Sequence, residues 1–230
     1  MKHPYIHVDH SGGRPMPVLN IAMVGSDDLA REIAKPTDQR DVHTYVHKES
    51  DADGPRILSI IRPAKYPERL RPFLNALSAA RVGIIEIERI DATLGEALVA
   101  FASSNLTKGM AIINAPDGEW VDEDQAKMLF KQAGLGEWTF AKGDGIELRT
   151  ILYGFMDSIA DELKANAEAP LVIPVDQHFN VKGIGLVAIG YVQSGTVNVH
   201  DELVLLPANG TGNAKSCLLY TSDAADEEDS

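Results

Sequence analysis

Val175-Asp176-Gln177-His178-Phe179-Asn180-Val181-Lys182-Gly183-Ile184-Gly185, followed by Gly190-Tyr191-Val192-Gln193-Ser194-Gly195-Thr196-Val197 and Val199-His200-Asp201-Glu202-Leu203, is the stretch of this chain with the most specific pattern. Within it Val187, Ile189 and Tyr191 recur at every second position. Their side chains therefore fall on one face of an extended strand and the intervening ones on the other. Strands are predicted at Leu171 to Val175, Leu186 to Val192 and Glu202 to Leu206. Gly183, Gly185, Gly190 and Gly195 punctuate them, as the tight turns and bends of a small barrel require. Residues 171–216 read as the first part of an all-β barrel whose remaining strands would lie beyond Ser216, with exposed strand edges as the consequence.

Upstream of the polar linker at 166–170 the period changes from 2 to about 3.6. An apolar run, Val18 to Val24, ends at Gly25 and leads into a helix predicted from Asp27 to Lys35, where Pro36 stops it. Strands follow at Val42 to His47 and Arg56 to Arg62, then a helix opening at Pro67 and reaching about Ala80, and a strand at Val82 to Glu88. Thr93 with Glu96 has the capping-box pattern for a helix to Ser103. A buried strand at Gly109 to Asn114, a helix at Asp122 to Ala133 closed by Gly134, a strand at Trp138 to Ala141 and a helix from Ile146 to Lys164 complete the series. Strand alternating with helix over residues 18–165 predicts an α/β domain, a parallel sheet with helices on both faces. Residues 1–17 read as a flexible leader; His3, His7 and His10 lack the acidic or Cys partners of a metal site.

The net charge of −13 argues against a general nucleic-acid binder, for DNA above all, although a local basic patch remains compatible with it. No run of about 18 apolar residues is present and the first twenty residues hold no signal-peptide core, so a soluble, cytoplasmic protein without a membrane partner is expected. Cys217 to Glu227 read CLLYTSDAADE, which is the translation of a transposon-end adapter used in sequencing libraries. Residues 217–230 are accordingly expected to be an artefact tail, with the gene left at about Ser216. The chain's single cysteine lies in that tail, so thiol chemistry is not expected.

The stretch over residues 175–203 resembles the start of the second domain of translational GTPases, among them the selenocysteine-specific elongation factors and, more distantly, elongation factor Tu. The resemblance is carried by Asp176, Phe179, Lys182, Gly183, Gly185, Gly195 and Asp201. It implies a β-barrel of the elongation-factor domain 2 type that packs on a GTPase domain and helps hold the aminoacyl end of tRNA. Residues 18–165 would then be P-loop-GTPase-like.

The resemblance fails at the chemistry. A phosphate-binding loop needs GxxxxGK[ST], in which backbone N–H groups cradle phosphates, Lys neutralises them and a hydroxyl holds Mg²⁺. Here Gly25 is retained, Ala30 stands for the second glycine, Arg31 for the lysine and Glu32 for the hydroxyl, while Asp27, Asp28 and Glu32 are expected to place negative charge where phosphates would sit. The second switch motif, DxPGH, aligns with Arg62, Ala64, Lys65 and Tyr66, so the Asp that helps hold Mg²⁺ and the His that positions water are both replaced. The guanine-reading NKxD keeps Asn114 and Asp117, and Ala141 with Lys142 resembles the loop that closes over the base, a residual guanine site. Read from residue types alone, Pro116-Asp117-Gly118 is instead a surface turn.

Arg62, Lys65, Arg69, Arg71 and Arg81 form the densest basic stretch, read either as an RNA contact or as a solvated helix face paired with local acids. His43 and His47 share one face of a strand and read as surface polar residues. The resulting expectation is a pseudo-GTPase acting as a tRNA- or ribosome-associated binding factor, with another translation factor as an alternative partner, having no catalytic residues, no metal and no cofactor. The alternatives are a divergent active GTPase that uses GTP with Mg²⁺ to deliver a specialised aminoacyl-tRNA, and a structural adaptor without RNA contact.

Overall fold

The computed structural model describes residues 18–39, 42–51, 54–165, 168–190 and 192–215. The expected leader and artefact tail lie outside them. The apolar run forms β1 (Val18–Val24), which leads through Gly25 and Ser26 into α1 (Asp27–Ile33). Ser26 caps that helix, its hydroxyl accepting the Leu29 N–H at 3.1 Å.

The predicted helix to Lys35 ends two residues early. Lys35 to Gln39 is instead an edge strand, β2 (Lys35–Gln39), antiparallel to β3 (Val42–Asp51). Pro36 is tolerated there because an edge strand presents only one side to a ladder. β4 (Gly54–Pro63) then returns antiparallel to β3, so this hairpin adds an antiparallel edge to the parallel sheet expected.

From there the alternation holds: α2 (Leu70–Ala79), β5 (Val82–Ile87), α3 (Ala92–Ser103), β6 (Gly109–Ile113), α4 (Glu123–Gln132), β7 (Thr139–Ala141) and α5 (Gly145–Ala165). The strand order is β2-β3-β4-β1-β5-β6-β7, and β4, β1, β5, β6 and β7 run parallel. Two helix boundaries differ from expectation. α2 begins at Leu70 after a turn containing Pro67, and α3 is capped by Asp91, whose carboxylate accepts the Leu94 N–H at 2.9 Å, leaving Thr93 inside the helix.

Successive side chains of β1 go to opposite faces of the sheet. Leu19, Ile21 and Met23 join α1 and α5 on one face, while Ala22 faces α2, α3 and α4 on the other. Both layers are apolar and buried, which is the packing that a mostly parallel sheet needs. On the second face Trp138 lies flat over two strands. A Cβ at Gly83 would stand 2.2 Å from its ring and one at Gly109 2.6 Å, so these positions admit only glycine.

Beyond α5 the structure is antiparallel. β8 (Val175–Val181) pairs with β9 (Gly185–Gly190), β10 (Glu202–Leu205) with β11 (Gly210–Asn213), and Val172 bridges Ser194. These strands are consistent with part of a β-barrel following a GTPase-like domain. Of the strand predicted at Leu171 to Val175 there remain the bridge at Val172 and the first residue of β8, while the rest of β8 and all of β11 were not anticipated.

Candidate functional site

Parallel strands place their C-terminal ends side by side, and loops there form the crevice of an open α/β sheet. In the order β4, β1, β5, β6, those ends carry Arg62, Gly25 with Ser26, Glu86 and Asn114. Glu86 is buried, 7 % exposed. Its Oε2 accepts the Ser26 N–H at 2.5 Å and its Oε1 accepts the Asn114 amide Nδ2–H at 2.6 Å. Arg62 Nε donates to the Gly25 carbonyl at 2.6 Å. A Cβ on Gly25 would lie 2.8 Å from Glu86 Cβ and 2.9 Å from Oε2, so the glycine makes room for the glutamate.

The remaining residues expected at a phosphate loop are engaged elsewhere. Arg31 donates from Nε to the Asp27 carboxylate one turn back on the same helix. The buried Tyr45 hydroxyl donates to the other Asp27 oxygen, and His43 Nδ1 lies 3.9 Å from it. The hydrogen bonds from Tyr45 and then Arg31 hold the Asp27 carboxyl below its ordinary range, while burial first and the bond to Asp27 second push the Tyr45 phenol up to about 12. Glu32 does not face the loop: its Oε1 accepts the Gly145 N–H at 3.1 Å, joining α1 to α5. Of the acids expected to face a phosphate, Glu32 is thus turned to α5 and Asp27 is paired with Tyr45 and Arg31, and the carboxylate that takes the loop N–H is Glu86.

A phosphate brought to the Ser26 N–H would meet that carboxylate. Two like charges 4 Å apart at an effective dielectric of about 20 repel by about 4 kcal/mol. In this arrangement the Ser26 N–H is taken by Glu86 and not left free for a phosphate. Among the described residues no cluster of three or more His, Cys, Asp or Glu is placed to hold a metal.

Of the base-reading residues, Asn114 is turned to Glu86, whereas Asp117 is exposed in a turn in which Glu119 N–H donates to the Pro116 carbonyl at 2.9 Å, as the residue types alone suggest. Ala141 is buried at the end of β7. Lys142 bonds Glu123 at 2.7 Å, and with Lys127 it holds the Glu123 carboxyl down at about 2, the Lys127 bond being the larger cause. Between the end of β6 and α4 lies an open cleft of about 640 Å³, lined by Ala115, Lys142 and a Trp120 that is 81 % exposed.

The basic stretch divides. Arg62 belongs to the loop contact just described. Arg81 donates to the Val192 and Gln193 carbonyls at 2.8 and 3.0 Å, joining the sheet to the antiparallel part. Lys65, Arg69 and Arg71 are exposed at the start of α2. His43 and His47 are half-buried, not surface residues; His47 is held below its ordinary value by burial first and by Arg149 second.

In the second part, Asp176 sits at the register shift in β8, on the strand that also holds Phe179. Lys182 and Gly183 lie in the β8–β9 turn, and Gly183 and Gly185 both have positive φ, 83° and 97°. Gly195 has φ 73° and lies close to the backbone of Ala169 and Leu171. The Asp201 carboxylate closes a turn by accepting the Asn198 N–H at 2.7 Å.

Sequence reasoning passed over Glu86, although a signal existed. It is the one acid in the strand Val82-Gly83-Ile84-Ile85-Glu86-Ile87, and an acid in a buried strand requires partners.

A GTPase-shaped α/β domain with a loop closed by its own side chains, followed by antiparallel strands, is the class that the geometry defines. No family model matches the chain. It is similar to an uncharacterized protein of Methanocaldococcus jannaschii, 25 % identical over 206 residues, covering 89 % of this chain and 62 % of that protein. It is also similar to the selenocysteine-specific elongation factor of the same organism, 34 % identical over 84 residues, which is 36 % of this chain and 18 % of the factor. Elongation factor 1-alpha of Picrophilus torridus is 37 % identical over 53 residues, 23 % of this chain and 12 % of that one.

Among solved structures, a bacterial selenocysteine-specific elongation factor superposes with TM-score 0.57 at 20 % identity, over 86 % of this chain and 38 % of that chain. The elongation factor SelB of Methanococcus maripaludis, in complex with a GTP analogue, gives TM-score 0.54 at 19 % identity, over 85 % and 46 %. The chain therefore resembles translational GTPases in sequence and shares their fold, and it spans less than two thirds of the length of these proteins.

Proposed function

We propose that this chain acts as a translation-elongation-factor-like binding protein of the cytoplasm, in which a pseudo-GTPase domain is kept as a scaffold and the factor associates with tRNA, the ribosome or another translation factor. Similarity to elongation factors supports the setting. The observation that carries the loss of GTP turnover is the Glu86 carboxylate on the Ser26 N–H, beside phosphate and switch positions filled by Ala30, Arg31, Glu32 and Arg62. Exposed Lys65, Arg69 and Arg71 supply positive charge for a polyanion in an otherwise acidic molecule.

Titration with labelled GTP and GDP in Mg²⁺ is expected to give no micromolar binding and no turnover. Micromolar binding with turnover would instead favour the divergent active GTPase. RNA recovered with the protein from cell extract should be lost at raised salt and reduced in the Arg69→Glu, Arg71→Glu double variant. Equal recovery in wild type and variant counts against an RNA contact at the start of α2 and in favour of the structural adaptor.

A further inference from the structure

We infer that Glu86 is the resident ligand of the loop after β1: the chain's own carboxylate takes the loop N–H and the Asn114 amide, and so holds one conformation of the site without nucleotide. The inference rests on the reading of the domain as a scaffold, and it names the group that replaces the nucleotide.

Three observations carry it. First, an acid in a buried strand is costly unless its oxygens find donors, and both Glu86 oxygens do so, on segments that flank β5 on either side. Secondly, the Gly25–Ser26 peptide unit is bonded at both ends, its carbonyl accepting from Arg62 and its N–H donating to Glu86. Hydrogen bonds arranged in line polarise one another, so the cation at the carbonyl strengthens the N–H as a donor to the carboxylate. Thirdly, Gly25 has no space for a side chain, and the atoms that close it off are chiefly those of Glu86. The chain Arg62, Gly25–Ser26, Glu86, Asn114 thus crosses four adjacent strand ends and ties the phosphate end of the crevice to its base end.

The test uses the full chain and measures hydrogen exchange of the Ser26 amide in wild type, Glu86→Gln and Asn114→Ala, together with thermal midpoints with and without GDP and Mg²⁺. The wild-type midpoint is expected to be the same with and without GDP. Exchange at Ser26 should rise roughly tenfold or more in Glu86→Gln, as loss of a charge-assisted hydrogen bond implies. It should rise by a smaller factor in Asn114→Ala, which alters an exposed residue and so keeps the test available if Glu86→Gln does not fold. Unchanged exchange at Ser26 in the folded variants, with no GDP effect on wild type, overturns the assignment of Glu86 alone. A rise in the wild-type midpoint with GDP overturns the scaffold reading along with it.

Discussion

Asp27 accepts from Tyr45 with one oxygen and from Arg31 with the other, so its ionised form is favoured in the folded protein. A carboxyl whose folded value is depressed stabilises the fold above its unfolded value, about 3.9, and that stability is lost as pH falls through the lower folded value. Urea denaturation followed from pH 6 downward should show this loss below about pH 4, and Asp27→Asn should flatten that part of the profile. The same profile in wild type and variant would mean that the pairing does not persist in solution. Residue identities alone placed Asp27 in the loop, but not its partners. Tyr45 comes from β3 and Glu86 from β5, and contacts between elements distant in sequence leave no periodic trace.

At the scale of elements, the start of α3 separates two readings of the same letters. Thr93 with Glu96 satisfies the capping-box spacing, yet Asp91 occupies the cap and its carboxylate takes the Leu94 N–H. Asp91→Ala should therefore cost about 1 kcal/mol. Thr93→Ala, within the helix, should change stability by less than about 0.5 kcal/mol, since alanine is the better helix former. Chemical denaturation of both variants checks the order, and a larger loss at Thr93 would restore the spacing-based reading. Helices and parallel strands were legible because long amphipathic or apolar segments repeat a period. The β2–β3–β4 hairpins were only partly legible, because Pro36 is a stop signal for a helix and equally compatible with an edge strand. The segment was read by the former rule and folds by the latter.

Across the whole molecule, the two parts meet through Arg81, which leaves the end of α2 to hydrogen-bond the Val192 and Gln193 carbonyls. Sequence placed Arg81 in a basic patch because neighbouring cations were counted together, whereas its partners lie more than a hundred residues away. Arg81→Ala should accelerate protease cleavage between the two parts several-fold, because local opening sets susceptibility. Cleavage at the wild-type rate would show that other contacts hold the parts together. The edge strand β2 has a further consequence at this scale. It carries Pro36, which has no N–H to offer, between Lys35 and Asp38, and its register with β3 is broken between Pro36 and Asp38. A neighbouring molecule would find no regular row of donors there on which to build another strand, so this rim of the sheet is guarded against self-association into fibrils.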